Sequence, residues 1–230
     1  MNLFEKRTPV LMYHRIDRSD HSSLAVSPEG FARQMDWLER KKFSFLSLDE
    51  VVNRQGRVPV LKRSVAITFD DGFEDNYENA LSVLIRRRKS AALFVVVNLV
   101  GQKGFLSWNQ IHEISQAGIL IGSHSLSHRW LPDLTDNEEL RREVVDSKKR
   151  IEDRLGKEVR HFSYPVGGVN ERVVDQVRGA GYKAGWVAGA RPSVSTREPL
   201  FSIRRVKISP SDSSLSRFAV KAYGIKGLFG

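Results

Sequence analysis

The 230-residue chain contains no cysteine, which excludes disulfides and thiolate chemistry but does not fix a compartment. It has no apolar run near the ~20 residues that span a bilayer. The opening Met1 to Arg7 lacks the apolar core of a secretory signal, so a cytoplasmic enzyme is the expectation. No linker-like tract divides the sequence and no repeat stands out, so residues 1–230 are expected to form one domain. Acidic residues are short of basic ones, 27 against 37, which leaves a net charge of +10. Such a balance favours anionic partners, yet no helix-turn-helix, zinc-finger or RNA-binding signature accompanies it. A solubilising surface is the simplest reading, and no nucleic acid partner is expected. With 40% hydrophobic and 28% charged residues, the composition is that of an ordinary globular protein and argues against disorder.

What is present is an alternation of short apolar runs with helical patterns. Strands are expected at 10–13, 43–46, 65–69, 91–97, 119–121, 159–164, 183–187 and 202–208. Ser27-Pro28-Glu29 opens a helix with Phe31, Met35 and Leu38 on one face. Ser47 with Glu50, and Ser107 with Gln110, read as capping boxes. Thr135 and Glu138 open a long helix that Gly156 stops, and the run around Pro59 reads as a loop. Arg86-Arg87-Arg88-Lys89 ends a helix, where positive charge complements the dipole. Strands alternating with helices imply a parallel sheet: a β/α barrel, with a doubly wound open sheet as the competing architecture.

The polar residues fall in register with this scheme. His14, the pair Asp70-Asp71, the pair His124 and His128, and the turn Pro165-Val166-Gly167 each follow a strand. In a parallel barrel that places them at one rim, where barrel active sites sit. Adjacent carboxylates at the end of a buried strand need a compensating cation or proton. Two imidazoles with three residues between them converge on one ion. Asp71, His124 and His128 therefore read as ligands of a catalytic divalent metal. Zinc suits them best, and the same donors accept cobalt, nickel, manganese or iron. Asp70 is left to act as base on a water, the backbone N–H of Val166 to stabilise an oxyanion, and His14 to protonate a leaving amine. Alone, each motif has a plainer reading: Asp-Asp-Gly is more often a turn, and His-x-x-x-His more often solvated. His21 and His112 read as surface residues and His161 as packed in its strand. Trp186 is either core or a platform for a sugar ring.

Thr68-Phe69-Asp70-Asp71-Gly72, His124-Ser125-Leu126-Ser127-His128 and Phe162-Ser163-Tyr164-Pro165-Val166-Gly167 resemble the three successive motifs of the polysaccharide deacetylases, the NodB-homology or carbohydrate esterase family 4 enzymes. The resemblance spans Val10 to about Ile208. It implies a distorted (β/α)7 barrel and metal-dependent removal of N-acetyl groups from amino sugars. It also implies Asp70 as base and Asp71, His124 and His128 as ligands. The arginine usual two residues before the proline is replaced by Ser163, and Arg205 is the candidate substitute for orienting Asp70. Val166 stands where an aromatic residue is usual. The late Leu-x-His motif is missing, whereas Val10 to Ile16 resembles the opening of a circularly permuted subgroup that acts on poly-N-acetylglucosamine. In that subgroup the early histidine takes the acid role, which here falls to His14.

The implied substrate is an N-acetylated glycan: polymeric, lipid-linked or nucleotide-linked. A deformylase or other linear-amide hydrolase, and a catalytically silent glycan-binding barrel, are the alternatives. No obligate protein partner is inferred. The basic terminal segment, with Arg217, Lys221 and Lys226 among Leu215, Phe218, Ala219, Tyr223, Leu228 and Phe229, suits either an anionic membrane surface or packing on the barrel.

Overall fold

The computed structural model describes residues 8–53, 63–188 and 199–224. The parallel strands are β1 (Val10–Tyr13), β2 (Ser44–Phe45), β3 (Ser64–Phe69), β4 (Ala92–Val95), β5 (Leu120–Ser123), β6 (His161–Ser163), β7 (Ala184–Val187), β8 (Ile203–Arg204) and β9 (Val206–Lys207). They run in the order β8-β7-β6-β5-β4-β3-β1-β9, with β2 beside the start of β3. The two outer members, β8 and β9, are consecutive in the chain and flank Arg205. β8 pairs with β7 and β9 pairs with β1, so the sheet curls into a nearly closed barrel whose seam is one residue wide. A doubly wound open sheet is thereby set aside. The single strand expected at 202–208 is instead broken, because its two halves serve opposite neighbours.

Eight helices cover the barrel among the described residues: α1 (Pro28–Arg40), α2 (Leu48–Asn53), α3 (Ser82–Arg86), α4 (Trp108–Gln116), α5 (Asn137–Arg141), α6 (Ser147–Leu155), α7 (Glu171–Gly179) and α8 (Leu215–Ala222). Ser27 caps α1 by accepting from the Gly30 N–H at 3.1 Å. Both expected capping boxes form. Gly156 stops α6 in the left-handed conformation at φ 63°. The long helix begins on Asp136 instead of Thr135, since the Asp136 carboxylate accepts from the Glu138 N–H at 2.9 Å. It is also interrupted by a π-helical turn at Arg142–Asp146, and another such turn, Tyr77–Leu81, precedes α3.

Alternation along the strands sorts the core. Leu11, Ile67, Phe69, Leu93 and Val95 face outward into the layer shared with the helices. Val10, Ala66, Ala92, Phe94, Ala184 and Trp186 face inward, closed below by Leu46, Leu48 and Val51. Further along β3 and β6 the inward positions become polar, at Thr68, Asp70 and Ser163, and the site begins there. Among the described residues no helix is long and apolar enough to cross a membrane. The apolar face of α8 is turned inward: Phe218 is buried and lies 5.9 Å from the Trp37 ring. Lys221 bonds the Lys207 carbonyl and Asp212. This favours packing on the barrel for residues 215–223. Pro59, Lys226, Leu228 and Phe229 lie outside the described residues.

Candidate active site

β3 delivers the carboxylate pair. Its inward alternation carries Asp70 into the barrel mouth, with 1% of the residue exposed. Such a buried carboxylate needs a cation, and Arg205 supplies one from the seam. Its two terminal nitrogens each donate to a separate Asp70 oxygen, both at 2.6 Å. The same guanidinium donates to Ser163 Oγ at 2.7 Å and Thr68 Oγ1 at 3.2 Å, and stacks 5.2 Å from the Phe94 ring. Ser163 Oγ in turn donates to Asp70 at 3.2 Å. Burial alone raises the Asp70 carboxyl, but Arg205, followed by His124, holds it below the usual carboxylate range. The chain then turns sharply, with Asp71 at φ 73° and Gly72 at φ 80°. A left-handed aspartate is tolerated, and the glycine that follows has no side-chain penalty. After this turn both carboxylates flank one imidazole: His124 Nε2 lies 3.7 Å from Asp70 Oδ2 and 3.4 Å from Asp71 Oδ1.

β5 delivers the imidazoles through a strained loop, with Ser125 at φ 67° and His128 at φ 63°. Glu143, on the π-helical turn, holds that loop. Its carboxylate accepts from the N–H groups of Leu126 at 3.0 Å and Ser127 at 2.9 Å, and from the Ser127 hydroxyl. Ser125 Oγ accepts from the His128 N–H at 3.0 Å. His124 Nδ1 donates to the Ser163 carbonyl at 2.8 Å, which fixes the ring and leaves Nε2 turned to the carboxylates. His124 Nε2 lies 3.4 Å, and His128 Nε2 3.3 Å, from Asp71 Oδ1. That oxygen is buried and has no hydrogen-bond partner. The candidate ligand atoms of Asp71, His124 and His128 all fall within 4.8 Å of one another. An orphaned buried oxygen facing two imidazole nitrogens fits a divalent cation. The protonation balance agrees. Burial lowers His124, but Asp70 and Asp71 outweigh it and raise it above its ordinary value. Burial raises Asp71, yet the two imidazoles hold it far below the carboxylate range.

His14 follows β1 onto the same rim. Asn76 donates to its backbone carbonyl at 2.9 Å, and Asp75, bonded to Arg15 and to the Ile16 N–H, braces the next residues. Its Nδ1 is buried without a hydrogen-bond partner. Burial lowers the His14 pKa; the fields of Asp70 and Asp71 raise it but only partly offset that. The third turn places Val166 at φ 55° with 66% of it exposed. That is a strained position for a β-branched residue. The neighbouring Gly167 and Gly168 N–H groups bond Tyr164 and Pro165 carbonyls at 3.0 and 2.9 Å.

Asp70, Asp71, His124, His128, His14, Val166 and Arg205 thus gather at the carboxyl ends of the strands. Trp186 does not join them. It is fully buried, and its indole N–H donates to His161 Nδ1 at 3.2 Å, so it is barrel filling and not a sugar platform. His161 is packed in its strand, and His21 and His112 are exposed, as expected. Glu143 was not foreseen from the sequence. Its spacing belongs to an amphipathic helix, and only the π-helical turn aims it at the histidine loop.

A model of the polysaccharide deacetylase family matches residues 57–185. A Bacillus subtilis protein, YxkH, provisionally named a polysaccharide deacetylase, is 33% identical over 210 residues, covering 90% of this chain and 73% of its own. The poly-β-1,6-N-acetyl-D-glucosamine N-deacetylase of Staphylococcus aureus is 26% identical over 211 residues, 79% of this chain and 72% of its own. Among solved structures, IcaB from Ammonifex degensii superposes with a TM-score of 0.81 at 27% identity, covering 94% of this chain and 97% of that one.

Proposed function

The chain belongs to the polysaccharide deacetylase family, hydrolases of amide carbon–nitrogen bonds, and on that premise we propose a metal-dependent N-deacetylase of an acetamido sugar. The observation that carries this reading is the fork of Arg205 on Asp70 set directly beside the converging Asp71, His124 and His128. A binding protein needs a shape and hydrogen bonds. It does not need a buried carboxylate kept ionised beside a second carboxylate.

In this reading Asp71, His124 and His128 hold a divalent cation, with zinc the best fit and cobalt, nickel, manganese or iron accepted by the same donors. Bound there, the ion supplies Lewis acidity, which can lower the pKa of a water from ~15.7 to ~7. Asp70, ionised and fixed by Arg205, takes the proton from the attacking water. Addition to the amide carbon places negative charge on the carbonyl oxygen, and the N–H of Val166 donates to it. His14 gives a proton to the nitrogen as the carbon–nitrogen bond breaks, releasing acetate and a free amine. Its unpartnered Nδ1 and the fields of Asp70 and Asp71, which favour its protonated form, support that role. The named activity of the Staphylococcus aureus relative makes β-linked N-acetylglucosamine polymers the first substrates to try.

The test pairs metal analysis with acetate release from N-acetylated glycans, with formamido sugars alongside. Acetate release that disappears in Asp70→Asn while the metal stays bound is expected, at a loss of at least about a hundredfold. Formate release alone would redirect the reading to a deformylase. Glycan binding without turnover, in protein shown to carry its metal, would make the barrel a silent binder.

A further inference from the structure

Basic residues cluster at one corner, at the end of the barrel away from the site. α1 ends in Arg40, Lys41 and Lys42, and α3 ends in the run Arg86 to Lys89. These two ends meet. Arg87 bonds Asp36 at 2.6 Å and Glu39 at 3.0 Å, and Lys89 pairs with Glu39 at 3.0 Å. Arg63, just before β3, donates to the Lys41 carbonyl at 3.0 Å and joins the same group. Among the described residues, Asp36 and Glu39 are the carboxylates seen paired with it.

The backbone shows that these cations are kept where a different residue would be easier. Both helices stop in the same way. The N–H of Lys42 bonds the Glu39 carbonyl and that of Phe43 bonds Leu38; the N–H of Arg88 bonds Ile85 and that of Lys89 bonds Leu84. The residue that must turn left-handed is Lys42, at φ 57°, and Arg88, at φ 53°. At the ends of α4, α6 and α7 the same task falls to Gly118, Gly156 and Gly181. Glycine adopts this conformation without a side-chain penalty, and lysine and arginine do not. The two basic exceptions are neighbours in space.

Beside them stands an aromatic edge. Phe43 follows Lys42, its ring is 5.2 Å from that of Tyr223, and Tyr223 is 5.9 Å from Trp37. Tyr223 is 39% exposed. Lysine and arginine next to amphipathic rings suit the headgroup level of an anionic bilayer, where the cations meet lipid phosphates and the rings sit at the interface. We propose that the corner formed by the ends of α1 and α3, with Tyr223, docks the protein on an anionic lipid surface. β3 runs from this corner to Asp70, so at about 3.3 Å per residue the site stands roughly 20 Å from the lipid and opens away from it.

The test is co-sedimentation with vesicles of phosphatidylcholine alone and of phosphatidylcholine with phosphatidylglycerol, at low and high salt, with duplex DNA as a competing polyanion. Binding is expected only to the anionic vesicles and only at low salt. The double variant Lys42→Gly/Arg88→Gly is expected to bind at least about tenfold more weakly while its melting temperature rises by about 2–6 °C. A purely structural role for these residues would not raise stability and lower binding together. Lys41→Glu/Lys42→Glu/Arg88→Glu should abolish sedimentation. Absence of binding by the wild type at low salt, unchanged binding by either variant, or a preference for DNA over the anionic vesicles would each overturn the proposal.

Discussion

Arg205 is the residue on which the candidate base depends. A buried carboxylate without a partner takes up a proton, and the forked guanidinium prevents this by favouring the charged form. Lysine keeps the charge but not the fork. In Arg205→Lys the folded pKa of Asp70 should therefore rise toward and beyond its ordinary value. The acid limb of the kcat/KM profile should move to higher pH, with metal content unchanged; an unmoved limb would separate Arg205 from the base. His161 makes a second, independent statement. Its Nδ1 accepts from the Trp186 indole, which can only donate, so its proton sits on Nε2, 3.2 Å from Asp49. Burial lowers its pKa to about 4 from the ordinary value of 6.5. The unfolded chain then binds more protons than the folded one between those values. Stability is lost as pH falls through that window, by at most about 3 kcal/mol. Denaturant titrations at neutral and acid pH should show this loss in the wild type and a smaller one in His161→Gln.

At the scale of elements, the histidine loop is held by a helix and not by its own strand. Glu143 accepts from two backbone N–H groups and a hydroxyl at once, and a glutamine has one acceptor oxygen where the carboxylate has two. Glu143→Gln is expected to weaken metal affinity by about ten- to a hundredfold, read by chelator competition, with little change in fold. The strands were legible because a buried parallel strand is a short continuous apolar run, as in Val65 to Phe69. The rim residues were legible because each follows such a run. What stayed hidden depends on the helical phase. The π-helical turns at Tyr77–Leu81 and Arg142–Asp146 leave no mark in an apolar pattern, and without the second of them Glu143 points elsewhere. The break at Arg205 was hidden for a related reason. Ser202 to Ile208 reads as one strand, and only the need of its two halves for different neighbours splits it.

For the molecule as a whole, the site and the barrel share their most costly parts. Asp71, His124 and His128 come from turns with left-handed residues, which the surrounding structure must hold in place. A cation that binds them only in the folded state stabilises the whole. Zinc at about a hundred times its dissociation constant should add about 2.7 kcal/mol, a rise in melting temperature of roughly 5–10 °C over the chelated protein. No difference between chelated and zinc-loaded protein would remove the metal from this site. The seam at Arg205 has one more consequence, and it concerns time. Asp70 and Arg205 lie 135 positions apart. A chain emerging from the ribosome presents both carboxylates and both histidine ligands long before the arginine exists. Until residue 205 has been made and drawn between its two neighbours, the carboxylate lacks the group that does most to keep it ionised. In the proposed mechanism, hydrolytic competence therefore arrives as the last strand seats, and an incomplete product is inert.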